Sequence, residues 1–284
     1  MSVEFCAGIA PVADRYDVFL VDLWGVLHDG RMPYAGAVDC LRRLVEAGKT
    51  VVLISNSGRR AAESEERLHR LGISAACYSH LVTSGEIAWQ MLAAGEGFCR
   101  TLTGKRCALF ASDAVSRFAD GLPVTMATLD TADFILLSGM DDSRPTADYE
   151  RMIEAGNRRG LPLVCANPDL ARITPDGLKP GAGAIAARYA ARGGEVHYVG
   201  KPHREIYAHC LALAAGRALG VGDSLHHDVA GGAAAGIDTL LVMNGVHAAE
   251  LPNEASAATL VAAMRRIVGD QGVLPDWAAP AFRW

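Results

Sequence analysis

Lysine is scarce in this chain. Its 284 residues include only Lys49, Lys105, Lys179 and Lys201, within a basic total of 27. The 32 acidic residues bring the formal charge to −5, so no basic excess marks a nucleic-acid surface. Aromatic residues make up 6%, and 30 glycines with 12 prolines are too few for a low-complexity or collagen-like chain. No apolar run approaches about 18 residues, so no membrane-spanning helix is expected. The opening stretch is broken by Glu4, Asp14 and Arg15 and does not read as a secretory leader. The seven cysteines (Cys6, Cys40, Cys77, Cys99, Cys107, Cys165 and Cys210) form no C-x-x-C pair and are odd in number. That pattern argues against a disulfide framework or a zinc site. It fits reduced thiols, packed as small hydrophobes, in a cytoplasmic protein.

Half of the residues are apolar and 21% are charged, the balance of a globular protein with a core. At roughly 150 residues per domain, the length suggests one large domain or two ordinary ones. Tyr16 to Asp22 is a short apolar run of β-forming residues that ends on a carboxylate. Ala37 to Ala47 carries Val38, Leu41, Leu44 and Val45 at helical spacing, with Gly48 as the stop. Thr50 to Ser55 is a second strand-like run. Strand, helix, strand at this spacing predicts a βαβ unit and a parallel sheet covered on both faces.

The alternation continues. A helix is expected up to Leu71, and strands near residues 107–111, 134–138, 163–166, 196–199, 218–222 and 239–243. Further helices are expected over 147–159 and 185–192. Two turn-rich stretches, His80 to Gly85 and Asn167 to Gly183, bracket a middle segment of small-domain size. The fold class expected is α/β: a three-layer, Rossmann-like parallel sheet core with an inserted α/β domain. Its boundaries are 1–80 and 181–284 for the core and 81–180 for the insertion.

Ligands collect at the carboxyl ends of parallel strands. Outside the insertion those ends carry Asp22, Ser55, Lys201 and Asp223, with Asp228 in the same loop as Asp223. Each has a plain reading: an aspartate after a strand is commonly a turn or cap residue, and Ser55 before Asn56 and Ser57 reads as a helix cap. Their order, each at the end of an apolar run, favours a shared crevice. Gly181-Ala-Gly183 follows Pro180, not a strand, and lacks the third glycine of a dinucleotide-binding fingerprint.

These residues resemble a family. Asp22-Leu-Trp24-Gly25-Val26, Ser55, Gly200-Lys201-Pro202 and Gly222-Asp223 with Asp228 look like the four motifs of the haloacid dehalogenase-like hydrolases. Val26 to Gly30, Ile54 to Ser57, Val82 to Gly85, Ala166 to Asp169 and Gly236 to Thr239 point to the class IIA branch, with its NagD-like and nitrophenylphosphatase-like members. In that family the insertion is an α/β cap that selects substrate.

The resemblance implies Mg²⁺-dependent hydrolysis of a small phosphorylated metabolite through an aspartyl phosphate on Asp22. It implies a metal held by Asp22, the backbone carbonyl of Trp24 and Asp223, with Asp228 behind them. Ser55, Asn56 and Lys201 would bind the phosphoryl group, and Asn167 and Asp169 would help shape the site. Trp24 departs from the pattern: the family's phosphatases carry an aspartate there as general acid and base, and indole can do neither job. The expectation is impaired or leaving-group-selective turnover. His28 is the first candidate to carry the proton instead, ahead of His226 and His227, and Asp29 lies beside it. The alternatives are a phosphometabolite-binding or sensor protein with little turnover, a dehalogenase, or a phosphotransferase. The tail from Pro275 to Trp284 is expected either to pack on the core or to reach a second copy of the chain as a homodimer contact. No nucleic-acid or membrane partner is expected.

Overall fold

The structure is a computed structural model that describes residues 3–112, 117–174, 177–251 and 255–284. In chain order its strands are β1 (Glu4–Phe5), β2 (Val18–Asp22), β3 (Thr50–Ser55), β4 (His80–Thr83), β5 (Arg106–Phe110), β6 (Thr125–Met126) and β7 (Phe134–Leu137). There follow β8 (Leu163–Cys165), β9 (Ala171–Thr174), β10 (Gly177–Pro180), β11 (Val196–Tyr198), β12 (Ala218–Gly222), β13 (Asp238–Val242) and β14 (Trp277–Ala279). The chain divides into two compact units, one of residues 1–55, 65–82 and 201–284, the other of residues 56–64 and 83–200.

The first unit is built on a seven-stranded sheet in the order β1-β14-β13-β12-β2-β3-β4. β1 with β14, β14 with β13, β13 with β12, β12 with β2, and β2 with β3 all pair in parallel. Successive residues of one strand enter different cores: Leu240 and Val242 join Phe19, Val21, Leu41 and Leu53, while Leu241 joins Leu225, Leu260 and Met264. The sheet is therefore covered on both faces, which is why its strands are apolar throughout instead of alternating. With the interior positions apolar, Thr239 of β13 excepted, polar side chains concentrate at the strand ends.

The expected helices form over Ala37–Glu46, Ala61–Arg70, Thr146–Arg159 and Ala182–Ala191. His80 to Gly85, read from sequence as a turn-rich break, is instead the strand β4 running into the helix Ser84–Ala94. Thr83 caps that helix, its hydroxyl accepting the Glu86 N–H at 3.0 Å. The C-terminal tail packs on its own core: β14 is an interior strand, the Trp277 indole N–H donates to the Tyr16 hydroxyl at 2.9 Å, and Phe282 is buried.

The second unit carries a five-stranded sheet, β11-β8-β7-β5-β6, again parallel at each pairing. Ile135, Leu137, Met152, Ile153 and Tyr189 are among its core residues. β9 and β10 pair antiparallel, and Pro175, between them in sequence, lies outside the described residues. Residues 181–200 extend this unit beyond the boundary at 180 drawn from the turn residues, because β11 pairs with β8 in the second sheet. The glycines at 181 and 183 begin a helix here, and their N–H groups go to the carbonyls of Leu170 at 2.8 Å and Asp169 at 3.0 Å.

All seven cysteines are free, and six of them are buried. Burial pushes the thiols of Cys99, Cys107, Cys165 and Cys210 up to about 12, which keeps them protonated and chemically quiet.

Candidate active site

β2 and β12 are parallel neighbours in register, Val21 opposite Val221, so Asp22 and Asp223 leave the same sheet edge side by side. On the other side of β2, Asp22 lies opposite Ile54, which places Ser55 one residue further along the adjacent strand end. Lys201 reaches this edge ahead of the helix Arg204–Ala212, and its Nζ donates to Asp22 Oδ1 at 2.6 Å and to Asp228 Oδ1 at 2.7 Å. Asp228 sits on a single π-helical turn, Leu225–Val229, and its other oxygen accepts the Ser224 N–H at 3.0 Å. Asp223 Oδ2 accepts the Val246 N–H at 2.6 Å. Asp22, Asp223, Asp228 and Lys201 are all buried.

Three carboxylates here face one ammonium, and a ligand oxygen from each aspartate lies within 4.8 Å of the others. Burial pushes the Asp22 carboxyl well above the usual carboxylate range; Lys201 opposes the rise, and Asp228 and Asp223 add to it. Burial, with Asp228 second, pushes Asp223 up to about 7. For Lys201 burial works against the charge, but Asp22 and Asp228 outweigh it and hold the ammonium well above its ordinary value. The cluster is short of positive charge.

Trp24 and His28 lie in the tight loop after β2, where the N–H groups of Leu27 and His28 both bond the Leu23 carbonyl. The half-buried indole packs within its own unit: the His28 ring meets it edge-on at 5.3 Å, and the Arg67 guanidinium lies 5.6 Å from its centre. Gly30, at φ +88°, completes this seat, since a Cβ there would fall 2.2 Å from the indole. Gly25, at φ +77°, plays the same part for the acid cluster: a Cβ would fall 1.8 Å from Asp223 Oδ2. His28 is buried, and its Nδ1 accepts the Gly30 N–H at 3.0 Å. Burial, with Arg67 nearby, lowers its pKa to about 4, so the ring is neutral at pH 7. Asp29 closes the turn by accepting the N–H groups of Arg31 and Met32 at 2.8 and 2.9 Å.

The structure thus brings together Asp22, Lys201, Asp223 and Asp228, with Ser55 at the neighbouring strand end. Asn56 belongs to the second unit, where its amide donates to Asp169 Oδ1 at 2.8 Å and the Asn167 side chain accepts the Asp169 N–H. His226 is exposed, and the His227 carbonyl accepts the Tyr207 hydroxyl at 3.1 Å. Sequence reasoning missed the loop after β13, whose Val246 N–H holds Asp223; a backbone donor leaves no signature in residue types.

A family model described as haloacid dehalogenase-like hydrolase matches residues 19–123, and a second, HAD-hydrolase-like, matches residues 198–264. The first segment contains Asp22, Trp24, His28, Ser55 and Asn56, the second Lys201, Asp223 and Asp228. The chain is 30% identical over 260 residues to chronophin of Bos taurus, covering 86% of each protein. It belongs to the haloacid dehalogenase-like hydrolases. It is also 31% identical over 244 residues to the D-glycerol 3-phosphate phosphatase of Mycobacterium tuberculosis, which spans 84% of this chain and 66% of that relative's length. Among solved structures, a haloacid dehalogenase-like hydrolase from Brucella suis superposes with a TM-score of 0.80 at 28% identity, covering 98% of this chain and 99% of that one. The glycerol phosphate phosphatase of M. tuberculosis, in complex with magnesium, superposes at 0.67 with 28% identity, over 87% of this chain and 74% of that one.

Proposed function

We propose that this hydrolase is a Mg²⁺-dependent phosphatase of a small phosphorylated metabolite, with Asp22 as nucleophile. The observation that carries this reading is the buried cluster of Asp22, Asp223 and Asp228 around Lys201 at the carboxyl edge of the sheet. Three close carboxylates form an all-oxygen donor set suited to a hard divalent cation, and two uncompensated negative charges match its charge. Asp22 and Asp223, with the Trp24 carbonyl, would hold the ion, and Asp228 would support it from behind. Bound there, Mg²⁺ supplies positive charge that lets a carboxylate approach a phosphate dianion.

The chain's own residues divide the remaining work. An Asp22 oxygen attacks phosphorus, the bond to the leaving oxygen breaks, and that oxygen takes the electron pair. Lys201 orients Asp22 and neutralises charge on the phosphoryl oxygens, and the Ser55 hydroxyl donates to them. Water then releases phosphate from the aspartyl phosphate and restores the carboxylate. The leaving oxygen needs a proton unless it is stable as an anion, and Trp24 has none to give. His28, the candidate carrier, is neutral with a pKa of about 4, so its drive to take up and return a proton near pH 7 is small. Turnover should therefore favour aryl, enol and acyl phosphates over sugar or glycerol phosphates. Substrate choice is assigned to the second unit. Six buried thiols among seven free cysteines suit a reducing cytoplasm.

The test is Mg²⁺-dependent phosphate release from nitrophenyl phosphate and from glycerol phosphate by wild type, Asp22→Asn and Trp24→Asp. Aryl-phosphate turnover that Asp22→Asn abolishes is expected. Trp24→Asp should raise the alkyl-phosphate rate by about 10²-fold or more, the usual worth of a general acid. Trp24 also favours a second reading, a phosphometabolite-binding protein with little turnover. Phosphate binding without hydrolysis of either substrate would replace the first reading with the second.

A further inference from the structure

The acid cluster is tied to the loop after β13 by two hydrogen bonds that run in opposite directions. The Asp223 side chain takes the Val246 N–H at 2.6 Å, and the His247 side chain takes the Leu225 N–H on its Nε2 at 3.2 Å. His247 is 8% exposed, and its Nδ1 lies 3.0 Å from Glu250 Oε2. A backbone N–H can only donate, so Nε2 must present its lone pair. The proton of the neutral ring then sits on Nδ1, aimed at Glu250, which fixes both the tautomer and the ring plane. Leu225 opens the turn that carries Asp228 and lies two residues beyond Asp223. His247 therefore grips the acid loop by its backbone, whereas Lys201 holds it by the side chain of Asp228.

We propose that His247 is a positioning residue for the metal-holding carboxylates: by accepting the Leu225 N–H it holds the Asp223–Asp228 loop in the geometry that binds the divalent cation. This inference rests on the metal reading of the Asp22, Asp223 and Asp228 cluster. Replacing His247 with leucine leaves a buried N–H unpaired and frees the loop, whereas glutamine can still offer a carbonyl oxygen. Supporting groups of this kind are typically worth about 10–100-fold in metal affinity.

Two measurements on the full chain, stripped of metal with EDTA and dialysed, test the proposal: Mg²⁺ titration by calorimetry, and hydrogen exchange at the Leu225 amide. His247→Leu should weaken the Mg²⁺ Kd by about 10–100-fold and speed exchange at Leu225, and His247→Gln should recover most of both. In turnover, KM for Mg²⁺ should rise while kcat at saturating Mg²⁺ stays near wild type. A wild-type Kd or unchanged Leu225 exchange in His247→Leu overturns the proposal. If that variant does not fold, Glu250→Ala, altered at a side chain 57% exposed, takes its place, and a wild-type Kd there also overturns it. Asp223→Asn separates the two levels. If wild type and Asp223→Asn both take up no Mg²⁺, the metal reading has failed and this proposal with it. If wild type binds, Asp223→Asn does not, and His247→Leu binds normally, only the role of His247 has failed.

Discussion

Replacing Asp223 with asparagine should stabilise the metal-free protein while removing the proposed metal site. The buried carboxyl of Asp223 holds its proton up to about pH 7, against an ordinary value of 3.8. Because the folded-state pKa is raised, the folded chain binds more protons than the unfolded chain between those values, and stability falls as pH rises through that window. At about 1.4 kcal/mol per pH unit the penalty is roughly 4 kcal/mol at pH 8, about 2 kcal/mol at pH 5, and small below pH 4. Asparagine removes the charge and keeps an oxygen for the Val246 N–H, so the variant should recover most of that amount. For a protein of this size about 3–4 kcal/mol corresponds to a rise in Tm of roughly 6–16 °C. The assay is thermal and urea unfolding of both proteins in EDTA at pH 5 and pH 8, repeated with Mg²⁺. The gain should be largest at pH 8 without metal. Mg²⁺ should stabilise wild type by about 2.7 kcal/mol at a hundredfold excess over Kd and leave the variant unmoved. An Asp223→Asn protein no more stable than wild type in EDTA at pH 8 would refute the charge-deficit argument.

The seat of Trp24 can be probed in the same way. Gly30→Ala forces a left-handed backbone on alanine and drives a Cβ into the indole, together about 2–4 kcal/mol of lost stability. In a Trp24→Ala background the clash portion should vanish, so a double-mutant cycle should show a coupling of about 1–3 kcal/mol; a coupling near zero would remove the indole from that position. His28 predicts the opposite pH trend to Asp223. Its pKa falls from 6.5 to about 4 on folding, so its contribution is present above about pH 6.5 and is lost, by about 3 kcal/mol, as pH drops through 4. Urea midpoints of wild type and His28→Asn between pH 4 and 7 should diverge by that slope, and parallel curves would contradict the burial of a neutral ring.

Much of the site was legible because a sheet covered on both faces leaves polar groups mainly at strand ends. Asp22, Ser55 and Asp223 each follow an unbroken apolar run, and the structure places those runs side by side. The break read at His80 to Gly85 failed for a local reason. Thr83 and Ser84 look like turn residues, yet they open a helix, and the small residue at 85 reflects the backbone of Gly58, 2.4 Å from where a Cβ would lie. The tail was undecidable from sequence because its partners are hundreds of residues away: Trp277 bonds Tyr16 across 261 positions.

By itself, the amino-acid order determined the fold class and the strand ends that bear Asp22, Ser55 and Asp223, since apolar periodicity and residue type are local properties. Only the tertiary structure decided which charges meet. Lys201 bridges Asp22, 179 positions away, and Asp228, 27 positions away, and the loop of Val246 and His247 closes on Asp223 and Leu225. Those contacts depend on strand order and register, which no single segment encodes. Burial then turns four ordinary side chains into a cluster short of positive charge. The scarcity of lysine matters in the end through the one ammonium buried among three carboxylates.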